Sequence, residues 1–398
     1  MSRSILPCLA FFVLTGVLST SCQGDRTVRF GAILPLSGPV EAYGTAIQRG
    51  VELAFDRAKA DPELGYQLDL TVTDSEADPQ NAARLLAEQY EKGVLAVVGG
   101  VTSAEAMAMV QVAEEKGRVL VSPSASSPEL TGVSRNFFRV FPSDFVEGTK
   151  MANFAANTLK LDSAVIIAAE SPYGRGIQGV FENEFLRHGG EMLEVVEYPP
   201  NTSDFSGLVG RLVTLEPDVV YIAAYWDDIV SFIKEIKQAG YQGKILTSSA
   251  FATPQAVAKA GEFAEGVYFT QTVFDVASEA EPIRGFVQAY RARYGEDPDL
   301  YAAHGYDAMT VMIEALRQGG RAPNEFWKGM RAIRSLSGVT GTLQFDERGD
   351  VQKFPRVYLI KDGVPVNYDR HMQTMREAFR RRLQELEQQR RRLGESPG

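Results

Sequence analysis

The stretch SAVIIAAESPYGRGIQGVF, residues 163–181, decides how the chain folds and whether it reads as an enzyme. It opens on an apolar run of strand length. Gly174, Gly176 and Gly179 follow in the spacing G-x-G-x-x-G, and the residues after them have helical periodicity. In a dinucleotide fingerprint the first glycine comes directly off the strand, so that the helix N-terminus meets the pyrophosphate. Here Ser171, Pro172 and Tyr173 intervene after Glu170. The stretch reads as strand, loop and helix, and nicotinamide chemistry is not expected of it.

The same alternation extends in both directions. Toward the N-terminus, VRFGAILPL (28–36), QLDLTVT (67–73), LAVVGG (95–100) and RVLVSP (118–123) read as strands. AIQRGVELAFDRAKA, NAARLLAEQYEKG and SAEAMAMVQVAEEKG lie between them with apolar residues at helical spacing. Around and after the opening stretch, AVIIAAE, MLEVVEY, DVVYIAAY, KILTSS and GVYFTQT alternate with MANFAANTLK, GVFENEFLRHGG, FSGLVGRLVTL and DIVSFIKEIKQAG. Such alternation implies a parallel sheet covered on both faces. Two successive runs of it imply two doubly wound α/β domains. Near residue 280 the chain turns helical, and GTLQFDERGD and RVYLIKDG then read as a hairpin-like pair. No Gly/Ser-rich or Pro-rich linker separates the halves, so the crossings are expected to be tight, as in a hinge.

The 398 residues, 44% apolar, suffice for two domains with cores of their own. The formal charge is -10 and the main body has no basic cluster, which argues against nucleic acid as its partner. Residues 1–21 read as a signal peptide: Arg3 precedes an apolar run, Ile5 to Val17, too short to span a bilayer. LSTSCQGD (18–25) resembles a lipobox with Cys22 as the lipidated first residue of the mature chain. One departure is that Ser19 stands three before the Cys, where a large apolar residue is usual, and Leu18 lies one further back. A soluble secreted chain and an uncleaved anchor are the alternatives. Cys8 would leave with the signal, so the mature chain would have no disulfide, no Cys-based zinc site and no Cys nucleophile.

The C-terminal tail, 369–398, has no strand signal. Met372, Met375, Phe379, Leu383, Leu386 and Leu393 form a helical stripe, and from Arg370 to Arg392 eight Arg stand against three Glu. A solvated helix, a partner-binding or coiled-coil helix, and a basic helix on anionic lipid are all compatible with it.

Four stretches fall in order along the chain: ILPLSGPVEAYGTAIQRGVELA (33–54), GGVTSAEAMA (99–108), SPSASSPELT (122–131) and ESPYGRG (170–176). Together they resemble the type I periplasmic solute-binding proteins, in the leucine/isoleucine/valine-binding branch that serves ABC transporters. The resemblance covers about residues 28–366. It implies two doubly wound lobes joined by a three-crossing hinge, with the ligand held between them. The first lobe would combine 27–146 with 276–336, and the second 147–275 with 337–368.

Within these motifs, Thr102 and Glu105 in VTSAE form a capping box. That leaves Ser103 in the first helical turn, where orphan N–H groups and partial positive charge suit a carboxylate. SASSPEL repeats the device: Ser127 precedes Pro128 at a first helical position, with Ser126 and Ser124 just upstream. The resemblance implies that Ser103 and Ser126 hold a ligand α-carboxylate, that the Ser124 carbonyl accepts from an α-ammonium, and that Tyr43, Tyr173 and Tyr225 line the cleft. Trp226 and Phe251 are expected to add an apolar wall. The branch's acidic residue for the ammonium falls on Ser249, which is neutral. Either Asp227 or Asp228 supplies the charge, or the ligand is an organic or aromatic acid without an ammonium.

His188, His304 and His371 have no nucleophile arrangement or metal spacing near them. Neither an enzyme nor a metal or other cofactor is expected. The resemblance implies an exported, lipid-anchored monomer that closes on a small amino acid or organic acid and hands it to an ABC permease. A ligand sensor or scaffold of the envelope is the alternative.

Overall fold

The computed structural model describes residues 26–392. The signal-peptide and Cys22 expectations, and Leu393, lie outside those residues. The first lobe opens with β1 (Thr27–Leu34), α1 (Glu41–Lys59), β2 (Gln67–Asp74), α2 (Pro79–Glu91), β3 (Ala96–Gly99), α3 (Ser103–Lys116), β4 (Val119–Ser122) and β5 (Phe137–Arg139). These strands form a parallel sheet in the order β2-β1-β3-β4-β5. β3 and β4 are buried along their whole length, because helices cover both faces and leave no solvent side to alternate toward.

The chain then crosses through α4 (Asp144–Asn153) into β6 (Ser163–Ala169), α5 (Pro172–Arg187), β7 (Glu191–Tyr198), α6 (Ser206–Leu215), β8 (Val219–Ala223), α7 (Trp226–Gln238), β9 (Lys244–Thr247), α8 (Pro254–Ala260) and β10 (Tyr268–Gln271). It returns with α9 (Ile283–Tyr294), α10 (Leu300–Gly319) and α11 (Pro323–Ala332). These complete the first lobe: Phe326 of α11 packs on Phe30 of β1, with ring centroids 6.1 Å apart. The last elements are β11 (Leu336–Gly338), β12 (Gly341–Leu343), β13 (Arg356–Lys361), β14 (Val364–Asn367) and α12 (Tyr368–Arg392). The second sheet runs β14-β13-β10-β9-β8-β6-β7. The fold is that of a type I periplasmic binding protein, with two parallel-sheet lobes wound alike. In each sheet the strand order reverses beside the first strand, at β1/β3 and at β6/β8, and ligands of such sheets lie beyond the carboxyl ends of the strands there.

Two expectations change. GTLQFDERGD and RVYLIKDG do not pair with each other. β12 pairs with β11, while β13 pairs with β10 and β14. The reason is the turn at Asp362 and Gly363, with φ of 52° and 75°, the two-residue geometry that closes a tight hairpin. Residues 337–353, expected with the second lobe, make their described contacts with the first. Asp307 of α10 accepts from Val339 N–H at 2.8 Å and Thr340 N–H at 3.0 Å. Phe345 packs on Phe138 at 5.2 Å, and the buried Arg139 guanidinium meets Asp350 at 2.6 and 2.8 Å. We propose that the third crossing lies between Lys353 and Arg356.

Candidate ligand cleft

Every expected cleft residue follows the carboxyl end of a strand, and the two sheets bring them face to face. Tyr43 follows β1, Ser103 follows β3, and Ser124 and Ser126 follow β4. From the other lobe come Tyr173 after β6, Tyr225 after β8 and Ser249 after β9. All seven line one small interlobe cavity of about 30 Å³, together with Val101, Thr102, Phe141, Ala250 and Tyr301.

Local chemistry fixes each wall. The capping box at α3 forms as expected: Glu105 N–H donates to Thr102 Oγ1 at 3.1 Å, and Thr102 N–H to the Glu105 carboxylate at 3.0 Å. Ser103 is left at the first turn, its Oγ accepting from Ser127 N–H at 3.2 Å. SASSPEL departs from expectation. It makes only a three-residue 3₁₀ turn, Pro128–Leu130, so it supplies no second helix dipole. In α5, Ser171 caps and Pro172 takes the first position. Neither Gly174 nor Gly176 has a left-handed backbone; both serve close approach. A Cβ on Gly174 would lie 2.1 Å from the Ala169 carbonyl oxygen, and one on Gly176 would lie 2.9 Å from Pro128 of the opposite lobe. The glycines of the opening stretch thus seat α5 against its own strand and against the partner lobe.

The lobes are tied across the cleft. The Tyr43 hydroxyl donates to the Ala250 carbonyl at 2.9 Å and accepts from Trp226 N–H at 3.1 Å. Tyr301 donates to the Ser249 carbonyl at 3.4 Å. Tyr173 stacks on Tyr225 at 5.1 Å, and Tyr43 packs on Tyr301 at 4.3 Å. Trp226 and Phe251 are buried but do not line the cavity; Phe251 packs on Phe269 in the core. Phe141 and Tyr301 take the role of apolar wall.

Neither acidic residue expected as a counter-charge reaches the cavity. Asp227 pairs with Lys259 at the surface and Asp228 accepts from Tyr198 at 2.8 Å. Instead the buried carboxylates of Asp144 and Glu147, one turn apart on α4, stand behind the cavity wall. Glu147 accepts from Ser249 N–H at 2.6 Å, from Ser249 Oγ at 2.9 Å and from Thr270 Oγ1. Asp144 pairs with Ser126 Oγ at 3.0 Å, and its other oxygen is buried without a partner. Burial raises both pKa values. Asp144 is pushed well up, with the neighbouring Glu147 charge adding to desolvation. Glu147 is raised by desolvation and held back by Thr270 and Ser249. Two buried carboxyls this close do not both ionise readily. The donors around Glu147 favour its charged form, and Asp144 keeps the proton. A protonated Asp144 can donate to Ser126 Oγ, which frees the Ser126 proton for an acceptor in the cleft. No pattern in the sequence marked Glu147, because its partners Ser249 and Thr270 lie 102 and 123 residues away.

His304, fully buried in α10, packs against Phe141 at 4.7 Å and donates through Nδ1 to the Leu300 carbonyl at 2.9 Å. It is a core residue kept neutral by desolvation.

A family model described as "Periplasmic binding protein" matches residues 27–361. The chain belongs to that family. It is 26% identical over 351 residues to the leucine-, isoleucine-, valine-, threonine- and alanine-binding protein of Pseudomonas aeruginosa, covering 87% of this chain and 92% of the relative. A leucine-binding protein from Thermotoga maritima superposes with a TM-score of 0.80 at 28% identity, over 86% of this chain and 99% of that one. A branched-chain amino acid transporter substrate-binding protein from Streptococcus pneumoniae, in complex with isoleucine, gives 0.79 at 25% identity, over 85% and 97%. As a periplasmic binding protein the chain is an exported binder and not an enzyme. No described helix is long and apolar enough to cross a membrane.

Proposed function

We propose that this periplasmic binding protein closes around a small amino acid, in the branched-chain class or close to it, and delivers it to an ABC permease from a lipid anchor at Cys22. The observation that carries the reading is the meeting of Ser103, Ser126, Tyr173, Tyr225 and Ser249 in one interlobe cavity backed by Glu147. Ser103, at the N-terminal end of α3, and Ser126, in the loop after β4, take the α-carboxylate. The Ser124 carbonyl and the Ser249 side, with ionised Glu147 behind it, take the α-ammonium. Tyr173 and Tyr225 close over the side chain. The cavity lies between the two lobes, and a ligand enters it as the lobes part at the hinge. Relatives named for branched-chain amino acids favour this ligand class over an acid lacking an ammonium.

Isothermal titration of residues 23–398 with leucine, isoleucine, valine and their 2-oxo acids tests the reading. Binding of the amino acids alone supports it. Binding of the 2-oxo acids alone would assign the site to organic acids and deny Glu147 its role. An envelope sensor is the second reading, favoured by α12, which lies beyond the family's match at residue 361. Uptake that survives deletion of 370–398 points to transport.

A further inference from the structure

We propose that α12 is a membrane-surface helix that lays the second lobe against anionic lipid. The helix follows β14, the edge strand of the second sheet. Its first turn is fastened: Tyr368 packs on Phe154 at 4.8 Å and on Tyr268 at 6.1 Å, and Arg370 lies 3.7 Å from Asp275. Further along, the described side-chain bonds stay within the helix, as in Gln373–Glu377 at 3.0 Å and Arg382–Glu385 at 3.2 Å. At 1.5 Å per residue the helix extends about 37 Å.

Its exposed surface is not uniformly polar. Met375, Phe379, Leu383 and Leu386 are 53%, 65%, 43% and 41% exposed. At 100° per residue they fall within an arc of about 80°. Arg376 borders one edge of that arc and Arg382 the other; Glu377 and Glu385 lie on the far side, and Glu387 stands about 40° past the Arg376 edge, between Arg376 and Arg380. An apolar stripe edged by arginines, in a helix of low net hydrophobicity, is the pattern that lies in a lipid interface with its stripe among the acyl chains. Pairing with a second copy would set arginines against arginines along both edges of the seam. Nucleic acid would satisfy the charge and leave Phe379 in water. Anionic lipid satisfies both. The chain as a whole carries -10, so this helix stands against its overall charge.

The test uses unacylated residues 23–398 with vesicles of phosphatidylcholine alone or mixed with phosphatidylglycerol. The expected result is sedimentation with the mixed vesicles, reversed by salt. Arg376→Gln with Arg382→Gln, and separately Phe379→Ser with Leu383→Ser, should each weaken binding roughly tenfold or more, with the thermal midpoint of the body unchanged. Absence of binding, equal binding to neutral vesicles, or variants that bind as well as the parent would overturn the proposal. So would concentration-dependent dimerisation that the Phe379 and Leu383 changes abolish, which would assign the stripe to a second copy.

Discussion

Ser103 and Ser126 face the same cavity but are held differently. Ser103 Oγ accepts from Ser127 N–H, so its own proton remains to be donated. Ser126 Oγ is paired with Asp144, and its proton is free only while Asp144 is protonated. Hydrogen bonds to a charged partner contribute about 1.5–3 kcal/mol each. Ser103→Ala and Ser126→Ala are each expected to weaken amino acid binding about tenfold or more, measured by titration calorimetry. At the other end of the ligand, Glu147→Gln removes the charge and keeps the shape. The amino acid should lose about tenfold or more in affinity, while the matching 2-oxo acid loses none. The pH dependence follows from the raised Glu147 pKa. Wild-type affinity for the amino acid should fall as pH drops through that raised value, above the ordinary 4.5, because the protonated acid no longer offsets the ammonium. The Glu147→Gln variant should lack that dependence. An equal loss for both ligand types would deny Glu147 a role in recognising the ammonium.

At the scale of elements, the sequence is legible where structure is local. The capping box of α3 is complete within four residues, and Ser171–Pro172 starts α5 as its residue types dictate. The strand–helix order of both lobes follows from periodicity, except for β5, whose three residues Phe137–Arg139 are too short to show a period. What was not legible depends on distant partners or on a turn taken at face value. Glu147 shows nothing until the fold brings Ser249 to it. Asp362–Gly363 is a hairpin signal, but the longer pairing with GTLQFDERGD competed with it. SASSPEL carries helix-start residues and yields one 3₁₀ turn, because the chain passes almost at once into β5. Tyr43 on α1 shows how elements couple. Its hydroxyl accepts from the first N–H of α7 and donates to the turn after β9, so one helix of the first lobe holds two elements of the second. Tyr43→Phe leaves a buried N–H and a buried carbonyl without that partner, only in the closed arrangement. It should shift the lobes toward opening and weaken ligand binding about threefold to tenfold, on the order of 0.5–1.5 kcal/mol. Small-angle scattering of the ligand-free protein should report a larger radius of gyration; an unchanged radius and affinity would remove Tyr43 from the latch.

Across the whole molecule, closure needs a hinge that bends while its strands stay in register. Lys353 sits where the first and third crossings run side by side. Its ammonium donates to the Val140 carbonyl at 2.8 Å and to Thr340 Oγ1, with the buried Asp307 carboxylate 4.0 Å away. Desolvation outweighs the attraction of Asp307 and lowers the Lys353 pKa from 10.5 to about 8. Between those values the unfolded chain binds a proton that the folded chain has released, so this group makes stability rise with pH across that window. Below about 8 it is charged in both states and its burial cost stands in full. Lys353→Met removes the titration. The wild-type thermal midpoint, measured relative to that variant, should therefore climb from pH 8 to pH 10.5; below pH 8 the difference also carries Asp307, whose pKa rises further when its neighbouring cation is lost. Other lysines and tyrosines titrate alike in both chains and cancel in the difference. A difference that stays flat through the window would mean that Lys353 is solvated in the resting protein and that the two crossings part more freely than their hydrogen bonds imply.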